Sequence, residues 1–127
     1  MCEHVVILVT APAIEEAEAI ARRLLEQRLI ACANLVAGVR SLFRWEGKID
    51  EADEVLVVMK TRQELLDAVT GAVREMHSYD VCEVIGLPFV GGSEAYLRWV
   101  DESVGTAGIR DQGSGNGRGR QRQGGTA

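Results

Sequence analysis

The sequence is poor in the features that mark membrane, disulfide-bonded and zinc-ribbon proteins. Its 127 residues include three cysteines, at positions 2, 32 and 82, and no Cys-x-x-Cys pair, so neither a disulfide framework nor a zinc ribbon is expected. No run of about 18 consecutive apolar residues occurs, which argues against a membrane span. The first apolar run, residues 5–9, is shorter than a secretory signal requires and follows no basic segment. We therefore predict a cytoplasmic protein that contacts no membrane.

Positive charge is scarce in most of the chain and concentrated near its end. Residues 1–104 hold 10 Lys and Arg against 18 Asp and Glu, a net charge of −8, whereas residues 105–127 hold four Arg against one Asp, a net of +3. An acidic body repels phosphate backbones, so nucleic-acid binding by the folded part is not expected. We therefore predict one domain over residues 1–104. The composition of residues 105–127, rich in Gly, Gln and Arg, predicts a disordered and solvated tail. The alternative is that this tail contacts RNA weakly.

Apolar residues follow the periods of strands and helices in the order β-α-β-β-α-β. Residues 5–9 are a continuous β-branched run, typical of a covered strand. Apolar residues then recur every three or four positions in a helix predicted to begin at Pro12 and end near Arg28. Three more strands are predicted, one within residues 31–45, one over 55–60 and one over 84–90. A second helix is predicted to end at Met76, with Thr61 and Glu64 as its capping box, and a short last helix is predicted to be capped by Ser93.

This order predicts an α+β fold of the ferredoxin-like type, with parallel strand neighbours joined by helices, one hairpin, and both helices on one face of the sheet. The hairpin from Ala33 to Lys60 is overlong, with its turn at residues 46–48. Helices of about 15 residues reach roughly 22 Å and cannot cover such a ribbon. Its tip carries Phe43, Trp45 and Ile49, so we expect another copy of the chain to cover it.

Several segments carry a resemblance to a known family. They are residues 9–12 (VTAP), 29–36 (LIACANLV) with Gly38, 44–49 (RWEGKI), Lys60-Thr61, 77–85 (HSYDVCEVI) and 96–99 (YLRW). In this order they resemble the CutA family of divalent-cation tolerance proteins over residues 4–104, although the segment 77–85 lacks the prolines usual after its His and before its Glu. The resemblance implies a cytoplasmic homotrimer linked by long hairpins, a role in divalent-metal tolerance, copper binding in some members and no established reaction.

The resemblance also implies metal ligands. Copper-associated members carry a Cys at the end of the first strand and a His pair at the end of the second helix, which correspond here to Val9, Met76 and His77. His77 offers an imidazole, Met76 a soft thioether suited to Cu(I), and Cys82 follows five residues later. The alternative is that His77 caps the helix C-terminus. Cys32, at the entry of a strand, is interpreted as a buried thiol.

A second candidate site is an aromatic and charged cleft. Its predicted residues are Trp45, Lys60, Tyr79, Asp80, Glu83 and Trp99. Lys60 ends a strand and is placed to pair with Glu83. The two interpretations are a salt bridge with aromatic packing at a subunit interface and a ligand cleft between subunits. The acidic run 50–54 lacks the spacing of a Ca²⁺ loop and is interpreted as a solvated hairpin end.

Other functions of this topology need residues that are missing. A soft-metal chaperone needs two cysteines after the first strand, and an RNA-recognition domain needs aromatic residues on the third strand; the sequence has neither. No nucleophile and base stand at interpretable spacing, so an enzyme is not expected. The predicted function is a trimeric metal-tolerance protein, possible cofactors being copper or another divalent cation. The alternatives are a small-molecule-sensing trimer resembling PII proteins and a scaffolding trimer.

Overall fold

The computed structural model describes residues 3–105, and its elements follow the predicted order. The strands are β1 (His4–Ala11), β2 (Cys32–Trp45), β3 (Lys48–Arg62) and β4 (Ile85–Pro88), and the helices are α1 (Ile14–Glu26), α2 (Leu66–Met76), preceded by a 3₁₀ turn (Gln63–Leu65), and α3 (Glu94–Ser103). This arrangement confirms the ferredoxin-like α+β fold. Within residues 3–105 no helix is long and apolar enough to cross a membrane. The predicted tail, apart from Gly105, and Cys2 lie outside the described residues.

The four strands form one sheet in the order β2-β3-β1-β4. Every neighbouring pair is antiparallel, so the predicted parallel neighbours are wrong. Strands joined by a helix do run parallel, but a third strand lies between them: β3 separates β1 from β2, and β1 separates β3 from β4. Each helical crossover therefore skips one position in the sheet, which is how split β-α-β units interleave.

The core lies between one face of the sheet and the helices α1 and α2. Alternate residues of β1 and β3 point into it, because successive side chains of a strand face opposite sides. Fully buried members include Ile7, Val9, Val57 and Met59 from the sheet, Ile20 and Leu24 from α1, and Val69 and Val73 from α2. Burying each such side chain contributes about 1.5–3 kcal/mol to the transfer free energy. The opposite sheet face keeps partly exposed apolar residues, among them Ile85 and Leu87 of β4.

The helix termini differ from the prediction in two places. α1 begins at Ile14, two residues after Pro12, and ends at Glu26; Arg28 then adopts a φ of 58° and the amide of Leu29 donates to the carbonyl of Leu24 at 2.9 Å, a closing turn of the Schellman type. The Thr61–Glu64 capping box is wrong, because Thr61 lies inside β3 and its hydroxyl donates to the Leu29 carbonyl at 2.7 Å. The Ser93 cap of α3 is confirmed by the bond that its Oγ accepts from the Tyr96 amide.

The hairpin of β2 and β3 is as long as predicted. Its pairing runs from Cys32 opposite Lys60 to Trp45 opposite Lys48, with an irregularity between Val36 and Val39. The connecting turn has only two residues, 46 and 47, with φ values of 50° and 79°. Two positive φ values in a two-residue loop are the geometry of a type I′ turn, whose twist matches that of the strands.

Helix α3 packs at the end of the sheet that lies away from the hairpin turn. Val100 and Val104 are buried with Ala31 and Leu65 in a second, smaller apolar cluster. Burial by itself would raise the pKa of the Asp101 carboxyl, but hydrogen bonds from His4, at 2.8 Å, and from Arg62, together with the charge of Arg62, outweigh it and hold that pKa below its ordinary value. This network ties α3 to the first residue of β1 and the last residue of β3.

Candidate functional site

A cleft of about 960 Å³ opens between the outer half of the hairpin and the loop that follows α2. We call it the hairpin cleft. It is lined by Thr10 at the end of β1, by residues 40–45 of β2, by Asp50 and Glu54 of β3, and by residues 79–83 of the loop. Its volume is within the range of small-molecule sites in proteins. The overlong hairpin makes the cleft, because β2 and β3 continue beyond the end of β1 and leave one side of the ribbon open.

The hairpin cleft brings together part of the predicted aromatic and charged set and one residue of the predicted metal set. Trp45, Tyr79, Asp80 and Glu83 all line it, and so does Cys82 from the predicted metal set. Lys60 and Trp99 are not among its lining residues. Lys60 pairs with Val6 of β1, whereas Glu83 lies two residues before Ile85, the partner of Leu8, so the predicted Lys60–Glu83 ion pair is not formed within residues 3–105 of one protomer.

Lys60 and Trp99 belong instead to a surface near α3. The Lys60 ammonium donates to the side-chain oxygen of Asn34, and the Trp99 ring packs on Tyr96 with centroids 5.5 Å apart. The Tyr96 hydroxyl lies 3.5 Å from the thiol of Cys32. Burial, followed by the contact with Cys32, raises the pKa of Tyr96 above its ordinary value. Cys32 itself is partly exposed, so the predicted full burial of that thiol is wrong.

One hydrogen bond joins the loop to the hairpin across the floor of the cleft. The hydroxyl of Tyr79 donates to Oε2 of Glu54 at 2.9 Å. Burial, the bond to Glu54 and the negative charges of Glu54 and Glu16 together raise the pKa of Tyr79 to about 12. Glu54 is only 7% exposed, which corrects the interpretation of residues 50–54 as a solvated hairpin end at this residue, whereas Asp50, Glu51 and Asp53 are exposed. Because buried polar groups are almost always hydrogen-bonded, the bond from Tyr79 to the buried Glu54 carboxylate holds the loop in position.

His77 ends α2, and its ring is enclosed by hydrogen bonds. The side chain has no exposed area; Nε2 lies 2.7 Å from the Thr10 carbonyl oxygen and Nδ1 lies 3.0 Å from the Tyr79 amide nitrogen. Since a carbonyl only accepts and an amide N–H only donates, Nε2 carries the proton and Nδ1 accepts. Both nitrogens therefore have a protein partner, and the ring holds the loop against the end of β1.

The predicted metal ligands His77, Met76 and Cys82 lie close together in sequence. Met76 and Cys82 are partly buried and pack against the main core. Within residues 3–105 no three His, Cys, Asp or Glu side chains are preassembled to hold a metal ion. Ligation by His77, Met76 and Cys82 stays a prediction, and it would require His77 to exchange one of its hydrogen bonds for the metal.

Charge in the hairpin cleft is predominantly negative. Arg40 is already engaged by two carboxylates, Glu51 at 2.5 Å and Asp53 at 3.1 Å. Asp80, Glu83 and Arg44 form no ion pair within the described residues 3–105. The cleft therefore presents four carboxylates, those of Asp50, Glu54, Asp80 and Glu83, against one uncompensated guanidinium.

Sequence reasoning did not assign five of the charged or polar lining residues to the cleft: Thr10, Arg40, Arg44, Asp50 and Glu54. The alternation of β3 contained a usable signal for Glu54, because counting back from the buried position Val55 marks the point where the strand leaves the core. The other four line the cleft because the hairpin and the end of β1 lie next to the loop, and no local pattern records that contact.

Comparison with known proteins identifies the family to which this sequence is similar. The sequence model of the family described as CutA1 divalent ion tolerance protein matches residues 5–103. The chain is 45% identical over 101 residues to the divalent-cation tolerance protein CutA of Archaeoglobus fulgidus, covering 80% of this chain and 98% of that one. It is 43% identical over 100 residues to the chloroplastic protein CutA of Arabidopsis thaliana, covering 79% of this chain. The chain spans only 55% of the length of that plant relative.

Solved structures agree with the sequence comparison. The crystal structure of CutA1 from Oryza sativa matches with a TM-score of 0.79 at 42% identity, covering 81% of this chain and 94% of that chain. The divalent cation tolerance protein of Thermus thermophilus matches with a TM-score of 0.79 at 38% identity, covering 80% and 99%. Because the family model matches residues 5–103 and the fold is shared with solved members, the chain belongs to the CutA1 divalent ion tolerance family.

Proposed function

We propose that this protein is a cytoplasmic homotrimer that binds divalent metal ions at the hairpin cleft and acts in metal-ion tolerance without catalysing a reaction. The observation that carries the proposal is the convergence of Asp50, Glu54, Asp80 and Glu83 around one open space. Carboxylate oxygens are the ligands that hard divalent cations prefer. The family name, divalent ion tolerance, agrees with such a role.

The site is adaptable rather than preassembled. Asp80 and Glu83 lie on a loop and are exposed, and within residues 3–105 no three ligands are already in place. An ion therefore draws the loop carboxylates toward Glu54, which the Tyr79 hydroxyl holds in position. Such a site binds with modest affinity, because part of the interaction energy is used to order the loop.

The ligands can be tested by calorimetry with Mn²⁺. The double variant Asp80→Asn/Glu83→Gln removes two cleft charges, and we expect its affinity to fall by roughly tenfold or more. The matched control Asp67→Asn/Glu75→Gln removes two charges from the exposed face of α2 and should leave the affinity unchanged. Equal affinities in the cleft variant and the unaltered chain would contradict the carboxylate site.

Copper is the second ion to test, through Cys82. Cys82 lines the hairpin cleft, and Cys82 and Met76 both pack against the main core. A thiolate and a thioether are soft ligands that Cu(I) favours. Cys82→Ser should lower the Cu(I) affinity and leave the Mn²⁺ affinity unchanged. His77→Ala is a poor probe, since it also removes the bond to Thr10. An unchanged Cu(I) affinity in Cys82→Ser would show that Cys82 is not a copper ligand.

The trimer accounts for the apolar surface that one protomer leaves open. Leu42, Trp45 and Ile49 of the hairpin are 67%, 49% and 73% exposed. Ile85 and Leu87, on the sheet face opposite α1 and α2, are each 46% exposed. Such surface is typical of a protein interface. Native mass spectrometry should give three copies for the unaltered chain, monomers for Leu87→Glu, and trimers for the control Ile14→Glu on α1. A monomeric unaltered chain would refute the assembly.

Aromatic walls favour a second candidate, a small-molecule-sensing trimer. Phe43, Trp45 and Tyr79 line the hairpin cleft beside its charged groups, a combination common in ligand sites. A metabolite that binds there should raise the melting temperature of the unaltered chain and have no effect on Tyr79→Ala. If no compound in a broad panel shifts the unaltered chain, this candidate fails.

A further inference from the structure

We propose that Glu16, a residue of α1 outside the hairpin cleft, positions the loop that forms one wall of the cleft and thereby sets how tightly the cleft binds its ion. Glu16 is not among the lining residues. It acts through Ser78, the second residue of the segment 77–84 that joins α2 to β4. This role rests on the proposed function, so its test includes an arm without metal.

Two hydrogen bonds join Ser78 to Glu16. The Ser78 amide donates to Oε2 of Glu16 at 2.9 Å, and the Ser78 hydroxyl donates to the same oxygen at 3.1 Å. Hydrogen bonds to a charged acceptor are roughly twice as strong as neutral ones. The Glu16 side chain is only 22% exposed, a setting in which such bonds are stronger than in water. The contact therefore fixes the first turn of α1 to the start of the loop.

The neighbouring imidazole does not compete with Ser78 for this carboxylate. Nδ1 of His77 lies 3.5 Å from the same Glu16 oxygen, but it accepts from the Tyr79 amide and carries no proton. The helix dipole does not explain the contact either, because it favours an anion at Glu15 as much as at Glu16, and Glu15 is exposed. Bonding to Ser78 is what distinguishes Glu16 from its neighbour.

The contact completes an anchor at the start of the loop. The residues on either side of Ser78 are bonded to β1 and to β3, and Ser78 adds α1 as a third element. Asp80 lies two residues further on, so its Cα is at most about 7.6 Å from that of Ser78. Asp80 and Glu83 are exposed and form no ion pair within residues 3–105. The position of these two carboxylates therefore depends on the anchor.

The anchor lies away from the surfaces assigned to the trimer. Glu16 is in the first turn of α1 and Ser78 follows the end of α2, on the sheet face that the helices cover, whereas the trimer is proposed to cover the opposite face and the hairpin. Loss of the anchor leaves every cleft carboxylate in the chain but increases the cost of ordering the loop around an ion. Binding that must order a loop is weaker.

The first arm of the test measures amide hydrogen exchange by NMR in the full chain without metal. In Glu16→Ala, protection of the Ser78 and Tyr79 amides should fall by roughly tenfold or more. The Tyr79 amide donates to His77 and not to Glu16, so its loss of protection reports release of the loop. The control Glu15→Ala removes the same charge from the same helical turn and should leave both amides protected. Unchanged protection of the Tyr79 amide in Glu16→Ala would overturn the proposal.

The second arm is calorimetry with Mn²⁺. The affinity should fall by roughly tenfold in Glu16→Ala, as on loss of other outer-shell partners. It should fall less in Glu16→Gln, whose amide oxygen keeps an acceptor for Ser78, and should be unchanged in Glu15→Ala. Equal affinities in Glu16→Ala and Glu15→Ala would show that the position of the loop does not control binding, and would overturn the proposal.

Ser78→Ala tests the route, because it removes the hydroxyl donor and keeps the amide donor. It should lower the Mn²⁺ affinity less than Glu16→Ala does, and adding it to Glu16→Ala should cause no further loss. Additive losses would contradict an action of Glu16 through Ser78.

The two arms separate this role from the proposed function. If the unaltered chain binds no Mn²⁺, the proposed function fails, and the exchange of the Tyr79 amide still decides whether Glu16 positions the loop. If that exchange responds to Glu16→Ala while the Mn²⁺ affinity does not, Glu16 is only a structural contact and the proposal is wrong.

Discussion

The hydrogen bond between Tyr79 and Glu54 should be a measurable part of the stability of this protein. Tyr79→Phe removes one hydroxyl and keeps the ring that packs on His77 with centroids 4.8 Å apart. A hydrogen bond to a charged group contributes about 1.5–3 kcal/mol. The Glu54 carboxylate, 7% exposed and bonded to Tyr79, loses this donor in the variant. We expect the free energy of unfolding to fall by about 2 kcal/mol.

Urea denaturation followed by circular dichroism measures this change at one fixed protein concentration, since assembly contributes to stability. Tyr96→Phe is the matched control, because within residues 3–105 the Tyr96 hydroxyl has the weakly bonding thiol of Cys32, at 3.5 Å, as its hydrogen-bond partner; its cost should stay below about 0.5 kcal/mol. Adding Glu54→Gln to each background gives a double-mutant cycle, in which we expect a coupling of about 1 kcal/mol.

The pH dependence gives an independent check. The folded-state pKa of Tyr79, about 12, is raised from an ordinary value of 10. A raised pKa means that the contribution is complete below pH 10 and is lost as the pH rises through 12. The difference between the unaltered chain and Tyr79→Phe should therefore be constant from pH 7 to 9 and shrink above pH 10. A difference below 0.5 kcal/mol at pH 7, or one that grows above pH 10, would refute the reasoning.

Two further predictions concern the end of the sheet near α3. Thr61→Val preserves the shape of a side chain with no exposed area but removes its bond to the Leu29 carbonyl, so the free energy of unfolding should fall by about 1–3 kcal/mol. Thr70→Val is its control, because Thr70 bonds the Leu66 carbonyl within its own helix, and equal losses would contradict the assignment. The pKa of Asp101 is lowered in the fold, so its contribution is complete above its ordinary value near 3.8 and is lost as the pH falls through the folded value. Acid titration of unfolding should show a small gap between the unaltered chain and Asp101→Asn that closes below about pH 4; a gap that persists at pH 2 would show that the effect of Asp101 is not due to its charge.

The sequence by itself determined the elements and their order. Continuous β-branched runs and apolar stripes at helical spacing are local properties, and they identified every strand and helix, although β3 begins at Lys48, seven residues before its predicted start. The two-residue turn at Glu46-Gly47 was also local, because positive φ values at both positions suit few residue pairs. The motifs of residues 9–12, 29–36 and 44–49 identified the family before any contact was known.

Only the tertiary structure decided which strands are neighbours and which side chains meet. A helix that joins two parallel strands is compatible with adjacent strands or with a strand between them, and the sequence pattern is the same in both cases. For that reason the predicted parallel neighbours were wrong, and Lys60 and Glu83 form no ion pair within residues 3–105 of one protomer. Thr61 and Glu64 had the spacing of a capping box, but β3 continues through Thr61 and its hydroxyl serves the Leu29 carbonyl instead. The hairpin cleft and the enclosure of His77 arise from contacts between residues distant in sequence, as between His77 and Thr10, and no local period records such contacts.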